Sequence, residues 1–157
     1  EKRTFSLKYL IAGTIDCLLI RGREFVIFDW KTNKDTLLFV CGYYKKEWKV
    51  INGVNQKVKT DKFIKTYDYM LMPLNNLEHC KGIEYTLQLS LYAYLLEEMG
   101  MICRGLMLYH IKNEKEQPIL HKIKYLKNDV FRLLEYHKNF NPNKPKGIKK
   151  STNFEMK

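Results

Sequence analysis

Long hydrophobic runs are missing from this chain of 157 residues. No apolar stretch approaches the roughly 20 residues that a helix needs to cross a bilayer. An apolar leader, an initiator methionine and internal repeats are also absent. We therefore expect no membrane span and no repeat architecture, and the start at Glu1 suggests a truncated or excised fragment.

Closely spaced cysteines are missing as well. The four cysteines, at positions 17, 41, 80 and 103, are each more than twenty residues apart. None of them forms the Cys-x-x-Cys pair that zinc and iron–sulfur sites usually use. The four histidines show no ligand spacing either. We expect buried free thiols and no iron–sulfur cluster.

Acidic residues are scarce relative to basic ones. The chain has 17 Asp and Glu against 28 Lys and Arg, which gives a net charge of +11. This balance favours a polyanionic partner, with nucleic acid first and an anionic membrane surface second. Hydrophobic residues make up 45% of the chain, enough for a packed core in one domain, which argues against a disordered or collagen-like chain.

A β-hairpin is predicted near the N-terminus. Residues 10–20 and 25–30 are rich in β-branched and aromatic side chains, and Gly22 lies between them in a position that suits a type II′ turn. In a hairpin, the numbers of facing residues have a constant sum. Arg21 opposite Glu24 therefore predicts Asp16 opposite Asp29.

Two carboxylates at one point of a sheet repel each other unless something offsets their charge. Lys31 shares a face with Asp29, whereas Phe28 and Trp30 point to the other face. A hard divalent cation such as Mg²⁺ or Mn²⁺ would suit the pair, with the Trp30 backbone carbonyl as a further ligand. The alternative is a salt-bridged Asp29–Lys31 pair on an exposed strand edge.

The rest of the chain alternates between strand and helix patterns. A strand is predicted over 36–40, a helix over 85–99 with Gly100 as its stop, and strands over 105–111 and 119–125. Asn128 is predicted to cap a last helix. We expect a core over residues 1–140 with an insertion at about 33–84, and a basic flexible tail over 141–157.

Three motifs occur in one order along the chain. They are Gly13-x-x-Asp16, Asp29-Trp30-Lys31 and Gln88-x-x-x-Tyr92. This series resembles the RecB-like nucleases of the PD-(D/E)XK superfamily. The resemblance implies an α/β fold with a restriction-endonuclease-like core, in which helices flank a twisted mixed central β-sheet. The lysine- and aromatic-rich segment would be an insertion into that core.

The resemblance also implies roles for these residues. Asp16 and Asp29 would bind Mg²⁺ or Mn²⁺, and Lys31 would be the catalytic lysine. Gln88 and Tyr92 would contact Lys31 or the substrate phosphates, and their spacing of four independently places them on one helix face. The alternative is that Tyr92 packs in the core and Gln88 is solvated.

By the same resemblance, the chain would be a metal-dependent deoxyribonuclease, and specifically an exonuclease in recombination, repair or phage DNA processing. Its partners would be single- or double-stranded DNA ends, together with recombination or replication proteins, and not a membrane. It would act in the cytoplasm of a bacterium or a phage-infected host. The family's core usually opens with a helix, so this chain would be N-terminally truncated, with Glu1 as a remnant.

Other interpretations remain open. The chain could be a non-catalytic DNA-binding module that keeps the nuclease scaffold, or a basic adaptor for anionic membrane or RNA. Stacking aromatics and backbone-neutralising lysines are typical of single-strand binding. The insertion would then bind nucleic acid, with Lys45, Lys46 and Lys49 as contacts. Alternatively, the insertion is a solvated hairpin whose aromatics, Tyr43, Tyr44, Trp48 and Tyr67, pack on the core.

Overall fold

The computed structural model describes residues 1–113 and 116–140. This part of the chain forms eight strands and two helices. In chain order they are β1 Lys2–Ser6, β2 Ile11–Ile15, β3 Cys17–Arg21, β4 Glu24–Lys31, β5 Gly42–Ile51, β6 Val54–Lys65, α1 Lys81–Glu98, β7 Ile102–His110, β8 Ile119–Ile123 and α2 Lys127–Asn139.

A four-stranded mixed sheet in the order β3-β4-β7-β8 is the centre of the fold. β4 and β7 pair in parallel, and the other pairs are antiparallel. Helix α1 covers one face of the sheet, where Phe25, Ile27 and Leu108 pack against Leu89 and Ala93. Helix α2 packs against α1 through Val130 and Leu134. The expected α/β class is therefore confirmed.

The predicted hairpin forms with the predicted register. Arg21 lies opposite Glu24 and Cys17 opposite Phe28, and Arg21 Nη2 is 3.0 Å from Glu24 Oε2. Gly22 has a φ of +61°, while Arg23 is not among the residues with positive φ. This combination fits the type II′ turn, in which the first central position requires glycine.

The strand predicted over 10–20 is broken in two. β2 pairs with β1 in a small separate sheet, whereas β3 pairs with β4 in the central one. The break falls at Asp16, which is exposed and lies in a bend between the strands. The polar residue thus marks the point where the chain leaves one sheet for the other.

The strand predicted over 36–40 is wrong. This segment is irregular, with Leu37 buried in the core and Phe39 packed against it. The Leu38 carbonyl accepts a hydrogen bond from the backbone N–H of Gly82 in the first turn of α1, at 2.9 Å. Anchoring to the N-terminus of a helix has replaced strand pairing in this segment.

Helix α1 begins four residues earlier than predicted, at Lys81, and ends as predicted before Gly100, whose φ is +83°. The predicted cap of the last helix is wrong. Helix α2 begins at Lys127 after Leu126, and no side chain caps it. The Leu126 N–H instead donates to Ser90 Oγ at 3.0 Å, so contact with α1 fixes this end.

Strands β5 and β6 pair with each other to form a long two-stranded ribbon within the predicted insertion. Every residue from 45 to 57 is exposed. The predicted tail, 141–157, lies outside the described residues. Neither helix of the described ranges is long and apolar enough to span a membrane.

Candidate functional site

Asp29 and Lys31 form a shielded ion pair at the end of β4. Asp29 is only 2% exposed, and the side chain of Lys31 is 17% exposed. Lys31 Nζ lies 2.7 Å from Asp29 Oδ2. Buried charges are costly unless they are paired or bind a metal. The ion pair of the alternative interpretation is therefore present, but its burial does not fit an exposed strand edge.

Asp16 lies beside this pair at the break between β2 and β3. Asp16 directly precedes Cys17, whose partner Phe28 directly precedes Asp29, and the Asp16 carboxylate lies close enough to affect the pKa of Asp29. Burial raises the pKa of Asp29, the ammonium of Lys31 offsets part of that rise, and the Asp16 carboxylate raises it further. The juxtaposition of two carboxylates, predicted from the hairpin turn, is present in the structure.

A divalent cation fits the donor atoms at this position. Asp29 Oδ2 is buried and, apart from its ion pair with Lys31, accepts no hydrogen bond among the described residues. The Lys31 carbonyl accepts a hydrogen bond from the backbone N–H of Ile111, just after β7. Because successive carbonyls of a strand point to opposite sides, the Trp30 carbonyl is directed to the β3 side of β4. Within residues 1–113 and 116–140, no group of three His, Cys, Asp or Glu side chains converges. Mg²⁺ commonly takes one or two carboxylates and completes its shell with water and phosphate oxygens.

The ring of Tyr85 on α1 contacts the ammonium of Lys31. Lys31 Nζ lies 4.7 Å from the centre of the Tyr85 ring, a cation–π geometry. The Tyr85 hydroxyl donates to Asn33 Oδ1 at 3.2 Å, and the ring Nε2 of buried His110 lies 2.9 Å from the Asn33 carbonyl oxygen. The sequence interpretation missed Tyr85. Its spacing of three residues before Gln88 places both on one helix face and could have revealed it.

Gln88 and Tyr92 lie on α1 as predicted and contact each other. Gln88 Nε2 donates to the Tyr92 hydroxyl at 3.0 Å. Both side chains are half-buried. Tyr92 packs against the hydrophobic core, as the alternative interpretation expected, whereas Gln88 is not fully solvated. The Tyr92 ring packs on β2 at Gly13, where an added Cβ would lie 2.5 Å from Tyr92 Cε1. The first and third motifs therefore touch through a glycine that has no room for a side chain.

The three lysines predicted to contact nucleic acid do not share one surface. Lys46 faces the same side of the ribbon as Trp48, whereas Lys49 lies on the opposite side with Glu47. Lys45 lies at the register shift between Tyr44 and Lys46, and its Nζ is 3.3 Å from Glu47 Oε1. The predicted packing of the aromatics on the core does not occur for Tyr43, Trp48 and Tyr67, which are exposed.

The cysteine prediction is partly correct, since all four thiols are free but only Cys41 is buried.

Comparisons with protein-family models, with curated proteins and with solved structures found no match for this chain.

Proposed function

We propose that the chain is a metal-dependent deoxyribonuclease with a restriction-endonuclease-like core, similar to the RecB-like exonucleases. One observation carries the proposal: buried Asp29 lies beside Asp16, with Lys31 held between Asp29 and the Tyr85 ring. Two neighbouring carboxylates at a strand end repel each other and would destabilise the sheet if their role were only structural. A phosphodiesterase site uses them together with a lysine.

Each residue has a definite task in this proposal. Asp16, Asp29 and the Trp30 carbonyl would hold Mg²⁺ or Mn²⁺, which lowers the pKa of bound water and neutralises charge on the phosphodiester. Lys31 places a fixed ammonium where it can orient the attacking water or stabilise the charge that develops on phosphate oxygens. The cation–π contact with Tyr85 would hold that ammonium in position.

Gln88 and Tyr92 would bind the substrate phosphate. Gln88 donates one amide hydrogen to the Tyr92 hydroxyl and has a second available, and the Tyr92 hydroxyl has its own hydrogen available. Both remaining donors suit a phosphate oxygen. The substrate would be DNA with single- or double-stranded ends, in recombination, repair or phage DNA processing in the cytoplasm. Recombination or replication proteins would be partners.

Digestion of end-labelled DNA tests the proposal. Linear and closed circular DNA, single- and double-stranded, are incubated with Mg²⁺, with Mn²⁺ or with EDTA. The proposal predicts degradation that requires metal and is lost in Lys31→Ala, with circles spared by an exonuclease. Metal-independent degradation, or full activity of Lys31→Ala, would contradict it. Intact DNA in every reaction, with DNA binding retained, would instead favour the non-catalytic DNA-binding module.

A further inference from the structure

One face of the ribbon combines aromatic rings with lysines. Lys46 pairs with Lys59 and Trp48 with Lys57 across the two strands, and alternation places these four on one side. Lys57 Nζ lies 5.2 Å from the centre of the Trp48 ring. Lys59 Nζ lies 4.1 Å from the ring of Tyr44, which belongs to the same side. We call these five residues the ribbon face.

The ribbon face is accessible and its charge is not neutralised. Trp48 is 67% exposed, although a tryptophan ring is costly to leave in water. In the described part of the chain, Lys46, Lys57 and Lys59 form no ion pair with a carboxylate. Glu47 points to the other side of the ribbon and pairs with Lys45. Such a surface complements a ligand that offers both negative charge and flat apolar faces.

The ribbon face is connected to the candidate site. Lys59 Nζ donates to Thr36 Oγ1 at 3.1 Å. Thr36 follows Lys31 by five residues in the segment that leaves the end of β4. A ligand that lies along the ribbon face therefore meets the chain segment that comes directly from the site.

We infer that the ribbon face binds single-stranded DNA and guides it toward the site; this rests on the proposed function. Side chains on one face of a strand recur about every 6.8 Å, so aromatic and lysine side chains alternate along the ribbon. Unpaired bases can stack on Trp48 and Tyr44 while the lysines contact phosphates. A duplex keeps its bases stacked inside, so it offers the rings no free base face. The substrate is then a single strand or a single-stranded end.

Binding of a 20-nucleotide oligo(dT) and a 20-base-pair duplex, measured by fluorescence anisotropy in EDTA, tests this inference without cleavage. Trp48→Ala is expected to weaken oligo(dT) binding about tenfold, since one stacked base is lost. The exposed aromatic Tyr136→Ala on α2 is the matched control and should bind as the wild type does. Duplex binding should be weaker than oligo(dT) binding and insensitive to Trp48→Ala.

The salt dependence of binding tests the lysines separately. Lys57→Gln/Lys59→Gln should reduce the slope of log Kd against log salt for oligo(dT) by about 1.4, or 0.7 for each contact. Lys122→Gln on β8 is the charge control and should leave oligo(dT) affinity unchanged. Unaltered affinity of Trp48→Ala together with an unaltered slope would overturn the inference, as would preferred binding of duplex.

A small substrate separates this inference from the proposed function. Bis(p-nitrophenyl) phosphate has one phosphodiester and no further nucleotides to lie along the ribbon, so both ribbon variants should hydrolyse it at the wild-type rate with Mn²⁺. Absence of hydrolysis by the wild type would count against the nuclease, whereas the binding results would still decide the role of the ribbon. Loss of hydrolysis in the ribbon variants alone would contradict a pure binding role for the ribbon.

Discussion

A lysine ammonium lies over an aromatic ring both at the site and on the ribbon, but the surroundings differ. Lys31 over Tyr85 is shielded, and its ammonium also contacts the buried Asp29 carboxylate. Lys59 over Tyr44 is on a ribbon exposed along most of its length, where Trp48 is also exposed. The two proposals give the same residue types different purposes in the two regions.

The difference follows from solvent. At the site, burial strengthens the interaction of Lys31 with Asp29 and Tyr85 and restricts the position of its ammonium, as the proposed catalytic role would require. On the ribbon, water weakens each lysine contact, so the DNA binding inferred there would depend on several lysines and on stacking rings together. Chemistry and affinity should therefore respond to different substitutions.

The largest expected effect is on cleavage by Asp29→Asn. Loss of this carboxylate should lower the single-turnover rate with Mn²⁺ at least about 100-fold, because several kcal/mol of transition-state stabilisation disappear. Affinity for oligo(dT) and the circular dichroism spectrum should be unchanged, since the ribbon is untouched. Cleavage near the wild-type rate would remove Asp29 from the site.

Tyr85→Leu should lower kcat about tenfold, because a shielded cation–π contact contributes up to about 2 kcal/mol to holding Lys31. KM should change little. Tyr85→Phe keeps the ring and loses only the hydrogen bond to Asn33, so it should recover most of the rate. Equal losses in both variants would show that the hydroxyl, and not the ring, supports Lys31.

Gly13→Ala should lower the free energy of unfolding by about 1–3 kcal/mol, since its Cβ would overlap the Tyr92 ring. Gly105→Ala is the matched control on β7, where the nearest side-chain atoms would lie at 3.6 Å. Urea denaturation measures both variants. If the two glycine variants were equally stable, close packing between β2 and α1 would not be needed.

The smallest expected effect is that of Asp16→Asn on the titration of Asp29, measured by carboxyl NMR. Removing the neighbouring charge should lower the raised pKa of Asp29. In the wild type the native state holds this proton more tightly than the unfolded state. The resulting stability is present below the ordinary carboxyl pKa and is lost as the pH rises through the raised value. Asp16→Asn should reduce that loss, and an unchanged Asp29 pKa would place the two carboxylates apart.

Sequence reasoning succeeded where local chemistry determines geometry. Gly22 fixes the turn, the turn fixes the register, and the register places Asp16 beside Asp29. Gly100 similarly ends α1 where a left-handed residue is needed. These features depend on a few consecutive residues, so they can be derived without knowing the rest of the fold.

Features that depend on distant partners were missed. The strand predicted over 36–40 is irregular because Leu38 bonds to Gly82 at the start of α1. The role of Tyr85 depends on Lys31, which is far away in sequence. The division of the ribbon lysines between two faces follows from side-chain alternation along β5, and β5 forms only by pairing with β6.

The most direct test of the central claim is a Mn²⁺ titration followed by electron paramagnetic resonance. We predict a Mn²⁺ site in the wild type that Asp29→Asn abolishes and Asp16→Asn weakens strongly, while Lys57→Gln/Lys59→Gln retains it. Equal Mn²⁺ binding by the wild type and both aspartate variants would contradict the account, because the paired carboxylates would then not be a metal centre.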